Sequence, residues 1–159
     1  MIVYFDSSAL LKLFLNEPDA QLALQIWNDA DEAVTSEISY LEVHASLARA
    51  LRENPPRLSK TDYDNAKEQF DQLWLELTSI GVSTELIERA SDVASEHALR
   101  AYDALHFATV LDIADDEILL ATTDQELERA AKAAGIPLTQ LSQPWSMPVP
   151  LNPMTSSPL

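Results

Sequence analysis

The sequence contains no cysteine and only two glycines, Gly81 and Gly135. Without thiols there is no disulfide framework, no thiolate zinc site and no cysteine nucleophile. A bound metal must then rest on oxygen or imidazole, which favours hard cations such as Mg²⁺ or Mn²⁺. Two isolated glycines also exclude both glycine-rich nucleotide-binding fingerprints, each of which needs several glycines close together. No apolar run approaches the ~20 residues of a membrane span, and Asp6 interrupts the apolar start before a signal-peptide core could form. The expectation is a soluble, cytoplasmic protein with no membrane partner. Positive charge is scarce as well: ten Lys and Arg stand against 26 Asp and Glu, a formal net charge of -16. That balance disfavours simple electrostatic attachment to nucleic acid, because such binders use a basic face to release counterions from phosphates. A site that gathers carboxylates around metal ions escapes the objection, since bound cations reverse the local sign. An acidic surface equally suits a basic protein partner.

What is present is an alternation of short apolar runs and amphipathic stretches within 159 residues, the size of one ordinary domain. Residues 2–5 read as a strand that stops at Asp6-Ser7-Ser8, a group able to cap a helix carrying Ala9, Leu10, Leu11, Leu13, Phe14 and Leu15. Asn16-Glu17-Pro18 breaks that helix, and Asp19 caps a second one to about Ala30. Ala33-Val34-Thr35 reads as another strand, and Ser36 or Ser39 as the cap of a helix through Leu51 that holds Glu42 in its first turns. Asn54-Pro55-Pro56 ends it, because proline removes a backbone donor and restricts the residue before it. A long helix over about 60–77, a weak strand at Ile80-Gly81-Val82 and a helix from Ser83 or Thr84 to His97 follow. Asp103 opens a helix to about Leu111, where an anion suits the helix dipole. Ile118–Thr123 is the clearest internal strand; Asp124 starts a helix that Gly135 stops, with a last strand near Pro137-Leu138-Thr139. Strands alternating with helices imply a three-layer α/β/α sandwich around a short, mainly parallel sheet over residues 1–141. Residues 142–159 hold five of the nine prolines and no charged side chain, and read as an irregular tail in which Trp145 is a candidate anchor.

In open parallel sheets, ligand sites form beyond the carboxyl ends of the strands. Asp6 and Asp124 each follow an apolar strand and begin a helix whose first N–H groups lack partners. Each taken alone is well explained as a helix cap, but capping and metal ligation use the same exposed position. Asp103 precedes a very apolar helix and is also open to reading as a cap. Glu42 lies among Tyr40, Leu41 and Ala45, where a partly buried glutamate is costly unless neutralised. Together the four carboxylates have a placement that none has alone.

The segments Tyr4-Phe5-Asp6-Ser7-Ser8-Ala9-Leu10, Ser39-Tyr40-Leu41-Glu42-Val43, Arg100-Ala101-Tyr102-Asp103-Ala104-Leu105-His106 and Thr122-Thr123-Asp124 resemble, in order and spacing, the PIN-domain nucleases, especially the VapC toxins of bacterial toxin-antitoxin pairs. The resemblance spans about residues 1–140. It implies a parallel-sheet α/β/α fold, Mg²⁺- or Mn²⁺-dependent endoribonuclease activity, homodimers, and inhibition by a small antitoxin. It carries the acidic quartet to Asp6, Glu42, Asp103 and Asp124, and supporting hydroxyls to Ser8 and Thr123. Two hard cations held between such carboxylates activate water and stabilise the leaving oxygen of an in-line displacement, with no side-chain nucleophile. Asp6, Asp103 and Asp124 are expected as direct ligands, and Glu42 as a direct or water-mediated one.

Arg49, Arg52, Arg57 and Lys60 fall within one stretch that is either a solvated helix end or a substrate contact; Arg49, Arg52 and Arg100 are candidates for touching RNA. His106 lies one turn beyond Asp103 and is expected to be a packed histidine supporting the site. Asp115-Asp116-Glu117 should be a solvated turn at the opposite sheet edge, and Trp27 and Trp74 core or dimer surface. Two rivals remain. An aspartate-nucleophile phosphatase also places an aspartate after its first strand, but position 8 is serine where that pattern has a second aspartate. The other rival is a metal-free module that has kept the PIN fold only as a binding surface.

Overall fold

The computed structural model describes residues 1–114 and 118–142. The Asp115–Glu117 run and the tail with Trp145 lie outside the described residues. Four strands, β1 (Ile2–Phe5), β2 (Glu32–Ser36), β3 (Thr78–Ile80) and β4 (Ile118–Ala121), form one sheet in the order β3-β2-β1-β4. All three pairings are parallel; Tyr4 sits opposite Val34 on one side and Leu120 on the other. The crossover helices are α1 (Ser7–Leu11), α2 (Ala20–Asp29), α3 (Ile38–Arg52), α4 (Lys60–Trp74), α5 (Thr84–His97), α6 (Ala101–Ile113) and α7 (Gln125–Ala134).

Strand alternation divides the core in two. Val3, Phe5 and Ala121 face α1 to α4, packing with Leu10, Ile26, Val43, Leu47 and Phe70. Tyr4, Val34, Ile118 and Leu120 face α5 to α7, packing with Leu86, Val93, Phe107, Val110 and Leu127. The expected three-layer sandwich is therefore present. Trp27 packs on Phe5 with ring centres 5.5 Å apart, and Trp74 lies against Phe70 at 5.8 Å, so both belong to the α1–α4 layer. Helix α6 is buried without interruption from Ala104 to Val110, because α5, α7 and the sheet all lean on it.

Local departures from expectation have physical causes. Helix α1 is short: after Leu11 the chain tightens into turns in which Lys12, Leu13 and Phe14 donate to carbonyls three residues back. Asp19 occupies the cap of α2 but in the left-handed region (φ 71°), with no side-chain cap bond. Neither Ser36 nor Ser39 caps α3. Its cap is Glu37, whose N–H is drawn to the Ile80 carbonyl at 2.8 Å, while Ser39 is buried against Thr35. Helix α4 ends at Trp74 rather than near Leu77, again through turns three residues wide. β3 accordingly lies a little earlier than Ile80–Val82. The last strand reduces to a single bridge between Leu138 and Leu120. The caps at Ser83 and Asp124 and the stop at Gly135 (φ 73°) are as the sequence indicates.

Candidate active site

The connection from β3 to β4 passes over β2 and β1, so the direction in which strands are added reverses between β1 and β4. A cleft outside the strand ends is expected there, and Asp6 and Asp124 flank it. Asp6 continues the ladder, its N–H donating to the Ala121 carbonyl at 3.1 Å. Asp6 is only 3% exposed. Oδ1 accepts from the Ala9 N–H at 2.8 Å and from Ser8 Oγ at 2.7 Å, and Oδ2 accepts from Thr122 Oγ1 at 2.6 Å.

Ser8 and Thr122 act as a pair. Each donates its hydroxyl proton to Asp6 and accepts a backbone N–H from the turn after β4: Thr123 N–H to Ser8 Oγ at 2.9 Å, and Asp124 N–H to Thr122 Oγ1 at 3.0 Å. The ends of β1 and β4 are thereby stitched together across the cleft. Of the two threonines, Thr122 gives its hydroxyl to Asp6, whereas Thr123, expected to support the quartet through its hydroxyl, contributes its backbone N–H to Ser8. Burial holds the Asp6 carboxyl above its usual range, outweighing His106 and the donors from Thr122, Ala9 and Ser8.

Glu42, on the second turn of α3, is tied from both layers. Its Oε2 accepts from Ser7 Oγ and from His106 Nε2, the latter at 2.7 Å. His106 is 2% exposed, and its Nδ1 lies 2.8 Å from the Tyr4 hydroxyl. In the neutral ring this fixes the tautomer: Tyr4 donates to Nδ1, and Nε2–H donates to Glu42. Burial pushes Glu42 up, but the His106 and Ser7 hydrogen bonds win and hold it below the usual carboxylate range. His106 is thus the packed, supporting histidine that the sequence suggests.

Asp124 caps α7 through Oδ1, which accepts from the Glu126 and Leu127 N–H groups at 2.9 Å each. Asp103 sits in the first turn of α6, whose cap is Arg100, and its carboxylate has no donor among the described residues. It is pushed up to about 6, first by burial and next by the charge of Asp124; Asp6 and Glu42 add to the effect and His106 opposes it. The four carboxylates therefore share one electrostatic neighbourhood, although no three of these side chains close on one point as a finished cage among the described residues.

Bare carboxylates repel, and a hard cation among them would remove the repulsion that raises Asp103. Asp103 and Oδ2 of Asp124 carry the oxygens left open for one, so the donor set fits a divalent cation. Of the candidate basic residues, Arg49 lines a hollow beside Ser8 and Thr123 and pairs loosely with Glu53 at 3.6 Å. Arg52 and Arg100 form no ion pair among the described residues.

Sequence reasoning missed Ser7, Thr122 and Tyr4. Tyr4 had a readable signal: a phenol in the middle of a buried strand needs a polar partner for its hydroxyl.

The sequence matches the PIN domain model over residues 3–133. This chain belongs to the PIN-domain family. As a PIN-domain protein it is 34% identical over 134 residues to ribonuclease VapC45 of Mycobacterium tuberculosis (strain CDC 1551 / Oshkosh), covering 84% of this chain and 92% of that one. Ribonuclease VapC49 of Mycobacterium tuberculosis (strain ATCC 25618 / H37Rv) matches to the same extent. Its fold is similar to that of Mycobacterium tuberculosis VapC20, a sarcin-ricin loop cleaving toxin, with a TM-score of 0.63 at 19% identity, covering 84% of this chain and 95% of that one. It is also similar to PAE2754 from Pyrobaculum aerophilum, with a TM-score of 0.62 at 20% identity over 87% of this chain and 92% of that chain. No helix of the described residues is long and apolar enough to cross a membrane.

Proposed function

We propose that this PIN-domain protein is a VapC-type toxin, an endoribonuclease that hydrolyses RNA phosphodiesters at the carboxylate edge between β1 and β4. One observation carries the reading: Asp6, Glu42, Asp103 and Asp124, from four separated segments, share one edge, where burial and then the charges of the other three carboxylates lift Asp103 to about 6. The 34% identity with two VapC ribonucleases supports RNA as the substrate.

Mg²⁺ or Mn²⁺ bound there would activate water and stabilise the leaving oxygen. Asp103, Asp124 and Asp6 are assigned as its direct ligands, with Glu42 holding it directly or through water. The chain's own residues prepare that chemistry. Ser8, Thr122 and the Ala9 N–H fix both oxygens of Asp6. His106 and Ser7 keep Glu42 ionised and aimed, able to orient a water by hydrogen bonding. Residues 1–141 form the nuclease domain in this reading. A small antitoxin is its partner, a reading supported by the similar folds of the toxin-antitoxin complex from Klebsiella pneumoniae and of VapBC-1 from nontypeable Haemophilus influenzae. A homodimer in the cytoplasm is its working form in this reading.

Purified chain freed of any partner should cut RNA with Mg²⁺ or Mn²⁺ and stop when a chelator is added. Equal cleavage by wild type and the Asp6→Asn protein would sink the mechanism. Metal binding without cleavage would point instead to a module that has kept the fold as a binding surface.

A further inference from the structure

A hollow of about 250 Å³ opens beside the acidic edge, with Ser8 and Thr123 on one wall and Lys12, Arg49 and Arg57 on the others. In a chain of net charge -16, three of the ten basic residues surround one depression. Their charges are only partly answered. Glu17 accepts from Lys12 at 2.9 Å and lies 3.6 Å from Arg57. Glu53 accepts from Arg57 Nε at 2.5 Å and stands 3.6 Å from Arg49, so three cations face two carboxylates.

Past Glu17 and Arg57 the hollow continues into a second cavity of about 640 Å³. Asn16, Asn65 and Gln69 line it together with the apolar Phe14 and Leu58 and with Asp62, whose carboxylate accepts from Ser59. None of these three amide side chains has a hydrogen-bond partner among the described residues. The sequence is thus a hydroxyl at the acidic edge, a cationic seat holding a carboxylate, and then an amide-lined, partly apolar groove.

The geometry points to an RNA track leaving the cleavage position past Ser8. Lys12, Arg49 and Arg57 seat the phosphate of a neighbouring nucleotide, Glu17 occupies that seat when RNA is absent, and the larger cavity takes that nucleotide's base. This inference rests on the ribonuclease reading above. Carboxylate and phosphate are alternative partners for the same ammonium and guanidinium groups, which makes Glu17 a built-in competitor. Single-stranded RNA is read through splayed bases that lie on flat side chains and offer their edges to hydrogen-bonding groups. Free amides beside an apolar floor supply both. An acidic protein segment would answer the cations but would leave the amides without a reason.

The test measures binding of a single-stranded oligoribonucleotide to the full chain carrying Asp6→Asn, by fluorescence anisotropy over a range of salt concentrations. Each lost phosphate contact makes the slope of log Kd against log salt shallower by about 0.7. Lys12→Gln and Arg57→Gln should each weaken binding several-fold with that shallower slope. Glu17→Gln should tighten it, a gain that no misfolded chain would produce. Asn65→Ala with Gln69→Ala should leave the slope alone and change the preference among homopolymers of different base. Unchanged slopes in both cation variants, or weaker binding by Glu17→Gln, would overturn the track. If wild type cuts no RNA but these shifts occur, the nuclease reading fails and the track stands. If it cuts RNA and the slopes do not move, the track alone fails.

Discussion

The two sides of the acidic edge are built differently. Asp6 and Glu42 are enclosed by donors: three groups reach the first, and Ser7 and His106 reach the second. Among the described residues Asp103 has no donor, and Asp124 uses one oxygen to cap α7 while leaving the other open. Half of the site is therefore held in place by the protein itself, at the cost of burying ionisable groups. In the other half, burial and then neighbouring charge disfavour an ionised Asp103, and a cation or a proton offsets both. Hydrogen bonds fix direction, and the open oxygens of Asp103 and Asp124 supply affinity for positive charge.

The sharpest way to break this contrast is Asp103→Asn. Loss of a metal-facing carboxylate should cost about 4 kcal/mol of transition-state stabilisation, roughly a thousand-fold in kcat/KM. RNA cleavage kinetics would check it, and activity within tenfold of wild type would refute the division. Next in size is His106→Gln. Removing a group that orients a ligand typically weakens metal affinity ~10–100-fold, readable by titration calorimetry with Mn²⁺. Tyr4→Phe should give a smaller loss in the same assay, because it frees the imidazole without removing it.

A third pair of substitutions separates neighbours. Thr122→Val strands the Asp124 N–H and removes a donor from Asp6, so chemical denaturation should show a loss of about 1–3 kcal/mol. Thr123→Val keeps the backbone contact to Ser8 and should stay within about 0.5 kcal/mol of wild type. The smallest effect has the opposite sign. The folded value of Asp103, at about 6, lies above the ordinary carboxylate range near 3.8, so folding takes up a proton between the two. The stability from that carboxyl is fully present below the window and lost as pH rises through about 6. Metal-free Asp103→Asn protein should therefore melt slightly higher than wild type at pH 7 and show no such gain at pH 4, as followed by thermal unfolding.

Asp6 and Asp124 are legible in the sequence because each directly follows an apolar run and precedes a helix, and parallel-sheet topology does the rest. Glu42 is less so. Its partners come from Ser7 and from His106, the latter 64 residues away, and only the folded chain brings α3 and α6 to the same edge. The Thr122 and Thr123 exchange has a simpler origin. Side chains alternate along an extended segment, so knowing which threonine faces Asp6 requires the phase of β4, which ends at Ala121 rather than running on through Thr123. The fold class follows from the strand and helix alternation alone. The shortened α1 does not, because turns of three and of four residues bury Leu13, Phe14 and Leu15 equally well in the sequence pattern.

The uninterrupted burial of α6 from Ala104 to Val110 has a consequence for how such a protein can change. Asp103 and His106 ride on a rod clamped on every side, so the spacing between them is locked to the packing of the interior. An inserted or deleted residue within that rod would turn it by about 100° and displace seven core side chains along with the chemistry. Variation that preserves cutting must accumulate elsewhere, on the exposed rims of α3 and α4. There a new preference for one sequence over another can arise without disturbing the interior.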